Sequence, residues 1–262
     1  MRTAPSVLAM SLVLALFGAS VALAIDPEPV LAKPAKQHRK KPRTVVLEDW
    51  AQAPSAKYAA LGKDDCLREL RSRKIAFDEV AEANGVLAPI RLRGPLGGVD
   101  YHTEERPTER AKSPFEILDC RLALALDDFS TILSAHDVDE ALIFSAWRPP
   151  PKGWPAGKLG TRHPGGLAVD IRVLEKKSVP GAERATLIVL RDWRPARDKP
   201  ACGNEAPPIL PDTQEAKEIR AIYCAAADQR IFSVMLGPNY NKAHENHFHL
   251  EITPGVQWRL LL

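Results

Sequence analysis

Three of the seven histidines of this 262-residue chain fall within six positions, His244-Glu245-Asn246-His247-Phe248-His249. The run continues into Leu250-Glu251-Ile252, an alternating pattern that predicts a short strand. Side chains two apart on a strand share a face, so His247 and His249 point one way and Phe248 the other, into a core. His244 falls in the loop that enters the strand. Neutral imidazoles held together on one side of a rigid element suit a zinc ion, which takes nitrogen donors at about 2.0–2.1 Å in tetrahedral geometry.

A second stretch supplies the remaining donors. In Thr161-Arg162-His163-Pro164-Gly165-Gly166-Leu167-Ala168-Val169-Asp170 a histidine loop passes through two glycines into an alternating strand. The glycines permit a tight turn that folds His163 back over the strand start. His163, Asp170 and one histidine of the H-x-H pair then make three protein ligands and leave a fourth position for water. That is the catalytic arrangement of zinc, since structural sites are closed by four protein ligands.

The spacing H-x(6)-D, followed far downstream by H-x-H, resembles the zinc peptidases grouped around lysostaphin and the D-Ala-D-Ala metallopeptidases. A nearer likeness is to the extensin-like C-terminal domain of bacteria. It is carried by Thr161, His163, Gly166, Ala168 and Asp170, and by the run from Val234 to Leu250, and it spans Cys66 to Ile252. The resemblance implies an exported zinc-dependent hydrolase of the D,D-carboxypeptidase or endopeptidase type. Its substrate would be a peptide bond in the peptidoglycan cross-link. The lysostaphin group uses the first histidine of H-x-H as general base, which implies His247 as base and His249 as the zinc ligand beside His163 and Asp170. Some D-Ala-D-Ala peptidases implicate a residue five before the last ligand, here His244. Arg148, at the end of a strand fifteen positions before His163, matches a site arginine of the related peptidases, and a guanidinium suits a substrate carboxylate or a developing oxyanion. One departure is Asn246, where the related domains carry Asp; an amide hydrogen-bonds an imidazole without adding charge. A zinc-containing wall-binding module without catalysis is the alternative, because animal hedgehog signalling domains resemble the same zinc fold. A metal-free exported structural protein is a third reading.

The rest of the chain sets the context. Val7 to Val21 is apolar and Ala22-Leu23-Ala24 is small-x-small, so residues 1–24 read as a secretory signal peptide. An uncleaved membrane anchor is the alternative. Residues 25–57 open with proline and lysine and read as a disordered linker, leaving a single domain over residues 58–262. The basic run Lys33 to Arg43 could touch anionic wall polymers or lipid heads. It also accounts for much of the net charge of +3, so the remainder gives no support to nucleic-acid binding. The expected location is periplasmic or secreted, and the expected state a monomer.

All four cysteines, Cys66, Cys120, Cys202 and Cys224, follow the leader, and an even count in an exported chain predicts two disulfides. Three pairings are open; Cys66–Cys120 with Cys202–Cys224 closes the most local loops. No C-x-x-C spacing favours metal ligation by them.

Periodicity predicts helices at Phe115–Ala135 and Thr213–Ala227. It predicts strands at Ala141–Trp147, from Ala168, at Leu187–Leu190 and at Ile231–Leu236. The expected fold is α+β: a small, mostly antiparallel sheet with packed helices and the zinc on its open face. Trp154 is placed either at the substrate cleft or over a core edge.

Overall fold

Residues Ala168–Lys176 form the longest strand of a computed structural model that describes residues 45–46 and 49–262. The signal peptide and most of the linker expected from the sequence lie outside the described residues. In chain order the strands are β1 (Val45–Val46), β2 (Phe77–Glu79), β3 (Pro89–Leu92), β4 (Asp100–His102), β5 (Ile117–Asp119), β6 (Val138–Ser145), β7 (Ala168–Lys176), β8 (Thr186–Ile188), β9 (Val234–Leu236), β10 (Phe248–Glu251) and β11 (Trp258–Leu261). The α-helices are α1 (Pro54–Ala59), α2 (Lys63–Ser72), α3 (Pro107–Arg110), α4 (Cys120–Ala135), α5 (Val189–Asp192) and α6 (Gln214–Asp228).

The fold is α+β. The main sheet runs β1-β11-β9-β10-β7-β6-β4, with β8 added to β7 beyond the end of β10. Its pairs are antiparallel except β11 with β9 and β4 with β6. A second sheet, β2-β3-β5, is antiparallel throughout.

α4 explains much of the core. Cys120 through Leu126 are all buried, together with Phe129, Ile132 and Leu133. A helix apolar on most of its circumference needs cover on several sides, and α1, α2, α6 and β6 pack around it. Phe248 on β10 meets Trp193 and Tyr223 at ring-centroid distances of 5.3 and 4.8 Å. Burying side chains of this size contributes about 1.5–3 kcal/mol each. Because Phe248 faces α6, its neighbours His247 and His249 face the other side of the sheet.

Several boundaries differ from the periodicity. The long helix begins at Cys120, not Phe115, because Ile117–Asp119 is taken up by pairing with β3. Asp119 Oδ1 then caps the helix by accepting from Arg121 N–H at 3.0 Å. The apolar run at Leu187–Leu190 is a strand only to Ile188. Asp192 Oδ2 accepts from Ile188 N–H at 2.7 Å and starts α5, which leaves Leu190 exposed. The packed fold also starts inside the stretch read as linker: Trp50 is buried and α1 occupies Pro54–Ala59.

Both disulfides are local, Cys66–Cys120 joining α2 to α4 and Cys202–Cys224 joining a proline-rich loop to α6. Two such bonds suit an oxidising, exported compartment. Among the described residues no helix is long and apolar enough to cross a membrane.

Candidate metal centre

Asp170 and His249 sit directly opposite each other on the antiparallel pair β7 and β10. Register alone therefore puts a carboxylate beside an imidazole on one face. His163 joins them from a short 3-10 turn, His163–Gly165. That turn is entered through Arg162 at φ +53° and left through Gly166 at φ +64°. At Gly166 a Cβ would meet Asp119 N at 2.8 Å, so the chain passes close there and glycine is required. Three hydrogen bonds stitch this turn to the end of β6. His163 Nδ1 is 2.6 Å from Ala146 O, Arg148 N–H donates to His163 O at 3.2 Å, and Trp147 Nε1–H donates to Pro164 O at 3.2 Å.

The three donor atoms form a nearly equilateral triangle. His163 Nε2 lies 3.2 Å from Asp170 Oδ1 and 3.2 Å from His249 Nδ1, and His249 Nδ1 lies 3.0 Å from Asp170 Oδ1. Zinc bonds of about 2.0–2.1 Å in a tetrahedron imply donor separations of roughly 3.3 Å. The donor set fits such an ion in size as well as in chemistry. The partners on the far side of each ring also fit. Ala146 O is a carbonyl, so His163 carries its hydrogen on Nδ1 and turns a lone pair on Nε2 inward. Glu251 Oε2, 3.2 Å from His249 Nε2, holds a hydrogen there and frees Nδ1 for the site.

Burial pushes the Asp170 carboxyl up, but the imidazoles of His163 and His249 against it outweigh burial and hold the group far below the usual carboxylate range. Burial pushes His249 down, but Asp170 and Glu251 on either side raise it to about 9.

Arg148 reaches the same atoms. Its Nε–H donates to Ser145 Oγ at 2.8 Å, and its Nη2 contacts Asp170 Oδ2 and lies 2.9 Å from His163 Nε2. A guanidinium only donates, which agrees with the lone pair assigned to that nitrogen.

His247 Nε2 is 3.5 Å from Asp170 Oδ1, and its Nδ1 is 2.8 Å from Asn246 Oδ1. The amide oxygen accepts, so Asn246 orients the ring and leaves Nε2 free toward the site. His244 stands farther out, its ring 5.8 Å from that of His249 and its Nδ1 2.8 Å from Asn241 Oδ1. Burial lowers both imidazoles. For His244, with repulsion from His247 and His249 added, the value falls to about 4. Glu245 turns away, 3.6 Å from Arg197.

The structure thus brings together His163, Asp170, His249, His247 and Arg148, with His244 at the margin. Trp154 stays in its own loop, donating to Lys158 O at 3.1 Å.

Two contributors were not singled out from sequence. Glu251 was readable, since it lies two residues past His249 on the same face. Phe144 was not. The register between β6 and β7 shifts on both sides of Ile143, and two β6 residues then span one step of β7. This bulge turns Phe144 out of the buried stretch of residues 141–145 and edge-on to His247 at 5.6 Å.

Residues 205–260 match the family model described as Extensin-like protein C-terminus. The match contains His244, His247, His249 and Glu251; His163 and Asp170 lie upstream of it. No curated protein and no solved structure matches the chain.

Proposed function

We propose that this chain is an exported zinc-dependent hydrolase that cleaves peptide bonds in the peptidoglycan cross-link, as a D,D-carboxypeptidase or endopeptidase. In this reading it is related to the lysostaphin and D-Ala-D-Ala metallopeptidase group. The observation that carries the metal is the triangle of His163 Nε2, Asp170 Oδ1 and His249 Nδ1, with sides of 3.0–3.2 Å. The substrate class rests on the extensin-like match and on the resemblance of H-x(6)-D and H-x-H to wall peptidases.

A zinc ion held by these three residues supplies Lewis acidity and brings the pKa of a water toward about 7. The chain's own residues do the rest. His247 presents an unprotonated Nε2 beside the donors and takes a proton from the attacking water. Asn246 keeps that ring in the productive tautomer. Arg148, with half of its side chain exposed and Nε and Nη2 held by Ser145, Asp170 and His163, binds the carboxylate of a peptide terminus or the oxyanion of the tetrahedral intermediate through Nη1–H. His244, its ring 5.2 Å from that of His247, is the second candidate for the base.

The test is incubation of the purified protein with cross-linked muropeptides, with and without a chelator, beside His163→Ala. Cleavage that needs the metal and is lost in the variant supports the hydrolase. Zinc uptake and wall binding without cleavage favour the non-catalytic module, to which the uncharged Asn246 beside His247 lends support. An intact substrate and no zinc uptake would remove both readings.

A further inference from the structure

We infer that Glu251 is a positioning residue for the metal centre and that Thr253 and Ser233 hold it in that role. The inference rests on the metal reading proposed above.

Glu251 ends β10 and is almost fully buried, at 3% exposure. A buried carboxylate needs a cation or several donors around it. Among the described residues, His249 is the one group forming an ion pair with it, through Nε2 at 3.2 Å from Oε2. The second oxygen, Oε1, accepts from Thr253 Oγ1–H at 2.8 Å. Thr253 is itself tied down, because its backbone N–H donates to Ser233 Oγ at 2.8 Å. Ser233, just before β9, closes the circuit: its backbone N–H and its hydroxyl both reach Glu251 O, at 2.9 and 3.1 Å. Ser233 Oγ also lies 3.1 Å from Thr253 Oγ1.

One oxygen of the carboxylate thus meets His249 and the other is held by Thr253, while Ser233 fastens Thr253 and the backbone of Glu251. The consequence falls on the imidazole. An accepting oxygen behind Nε2 keeps the hydrogen on that nitrogen and leaves the Nδ1 lone pair facing His163 and Asp170. It also sets the ring plane and raises the electron density of the donor. With Glu251 removed, the ring has no partner behind it and either nitrogen can carry the hydrogen.

The experiment is zinc affinity of the folded protein by competition with a chromophoric chelator, for wild type, Glu251→Ala, Glu251→Gln and Thr253→Val. Nitrogen-15 spectra of the histidine rings give the tautomer. Glu251→Ala should bind zinc about 10- to 100-fold more weakly and lose the slowly exchanging Nε2–H of His249. Glu251→Gln, whose Oε1 still accepts, should restore the tautomer and part of the affinity. Thr253→Val should fall between Gln and wild type. Wild-type affinity in a folded Glu251→Ala overturns the inference. If that variant does not fold, wild-type affinity and an unchanged ring spectrum in both Glu251→Gln and Thr253→Val overturn it instead. A wild type that takes up no zinc overturns the metal reading and this inference with it, whereas normal uptake by wild type and all variants overturns this inference alone.

Discussion

Asp170 Oδ1 lies 3.0 Å from His249 Nδ1, across a pair of strands in which the two residues face each other. His163 Nε2 approaches the same oxygen at 3.2 Å, and His247 Nε2 lies 3.5 Å from it. One carboxylate oxygen is therefore the meeting point of three imidazoles.

Asp170→Asn should abolish stoichiometric zinc uptake, read by elemental analysis. The metal-free variant should also melt lower than metal-free wild type. Removing one partner of a buried ion pair leaves the other uncompensated and costs about 3–5 kcal/mol. At roughly 2–4 °C per kcal/mol for a domain of this size, the drop is on the order of 10 °C. An unchanged melt with full zinc content would contradict the central place given to this carboxylate.

Zinc removal should destabilise the wild type. Zinc at about 1,000 times its dissociation constant stabilises a folded chain by roughly 4 kcal/mol. A chelator should accordingly lower the melting temperature on the order of 10 °C, and added zinc should restore it. Calorimetry that shows no shift would speak against a folded-state metal site.

His247→Ala and His244→Ala separate the two candidate bases. His247→Ala should keep its zinc and lose about 10²- to 10⁴-fold in the rate of muropeptide cleavage, because its Nε2 is the free nitrogen nearest the donors. His244→Ala should change the rate far less. The reverse order in turnover measurements would move the base to His244.

The disulfides should differ in weight. Cys202–Cys224 closes 22 residues and Cys66–Cys120 closes 54. Chain-entropy arguments give about 3 and about 4 kcal/mol for loops of these lengths. Paired Cys→Ala variants, unfolded in urea, should show the larger loss for Cys66 and Cys120. Loss of Cys202–Cys224 carries a local effect as well. It frees the loop that Asn239 fastens beside the histidine segment by accepting from Ala196 N–H and donating to Lys199 O.

Arg184 should give stability a pH dependence. It pairs with Asp139, Glu140 and Glu175, and its hydrogen bond holds the Glu140 carboxyl below its ordinary value against a smaller upward push from burial. A lowered carboxylate pKa stabilises the fold above the unfolded value of about 4.3, and the effect is lost as pH falls through the lower folded value. Arg184→Ala should cost about 1 kcal/mol near pH 7, screened by solvent, and less at an acid pH below the unfolded carboxylate value. Denaturant melts at the two pH values check the sign.

The candidate donors were legible in sequence because two short spacings carry them. H-x-H on a strand puts His247 and His249 on one face by the two-residue period alone. The glycines after His163 announce a turn, since only glycine takes Gly166's backbone against Asp119. The long helix was visible in its apolar repeat, but not its start, because the same apolar residues Ile117 and Leu118 serve equally well in a strand and the partner strand β3 lies 25 and more residues upstream. What only the tertiary structure decided are contacts between distant segments that no local period encodes. The register of β7 against β10 sets Asp170 opposite His249, and the bulge in β6 turns Phe144 outward. The carbonyl of Ala146 chooses the nitrogen of His163 that faces the site, and a backbone oxygen leaves no mark in a sequence. Residue types and short spacings settled which donors this chain could offer; packing across the sheet settled which atoms of them meet.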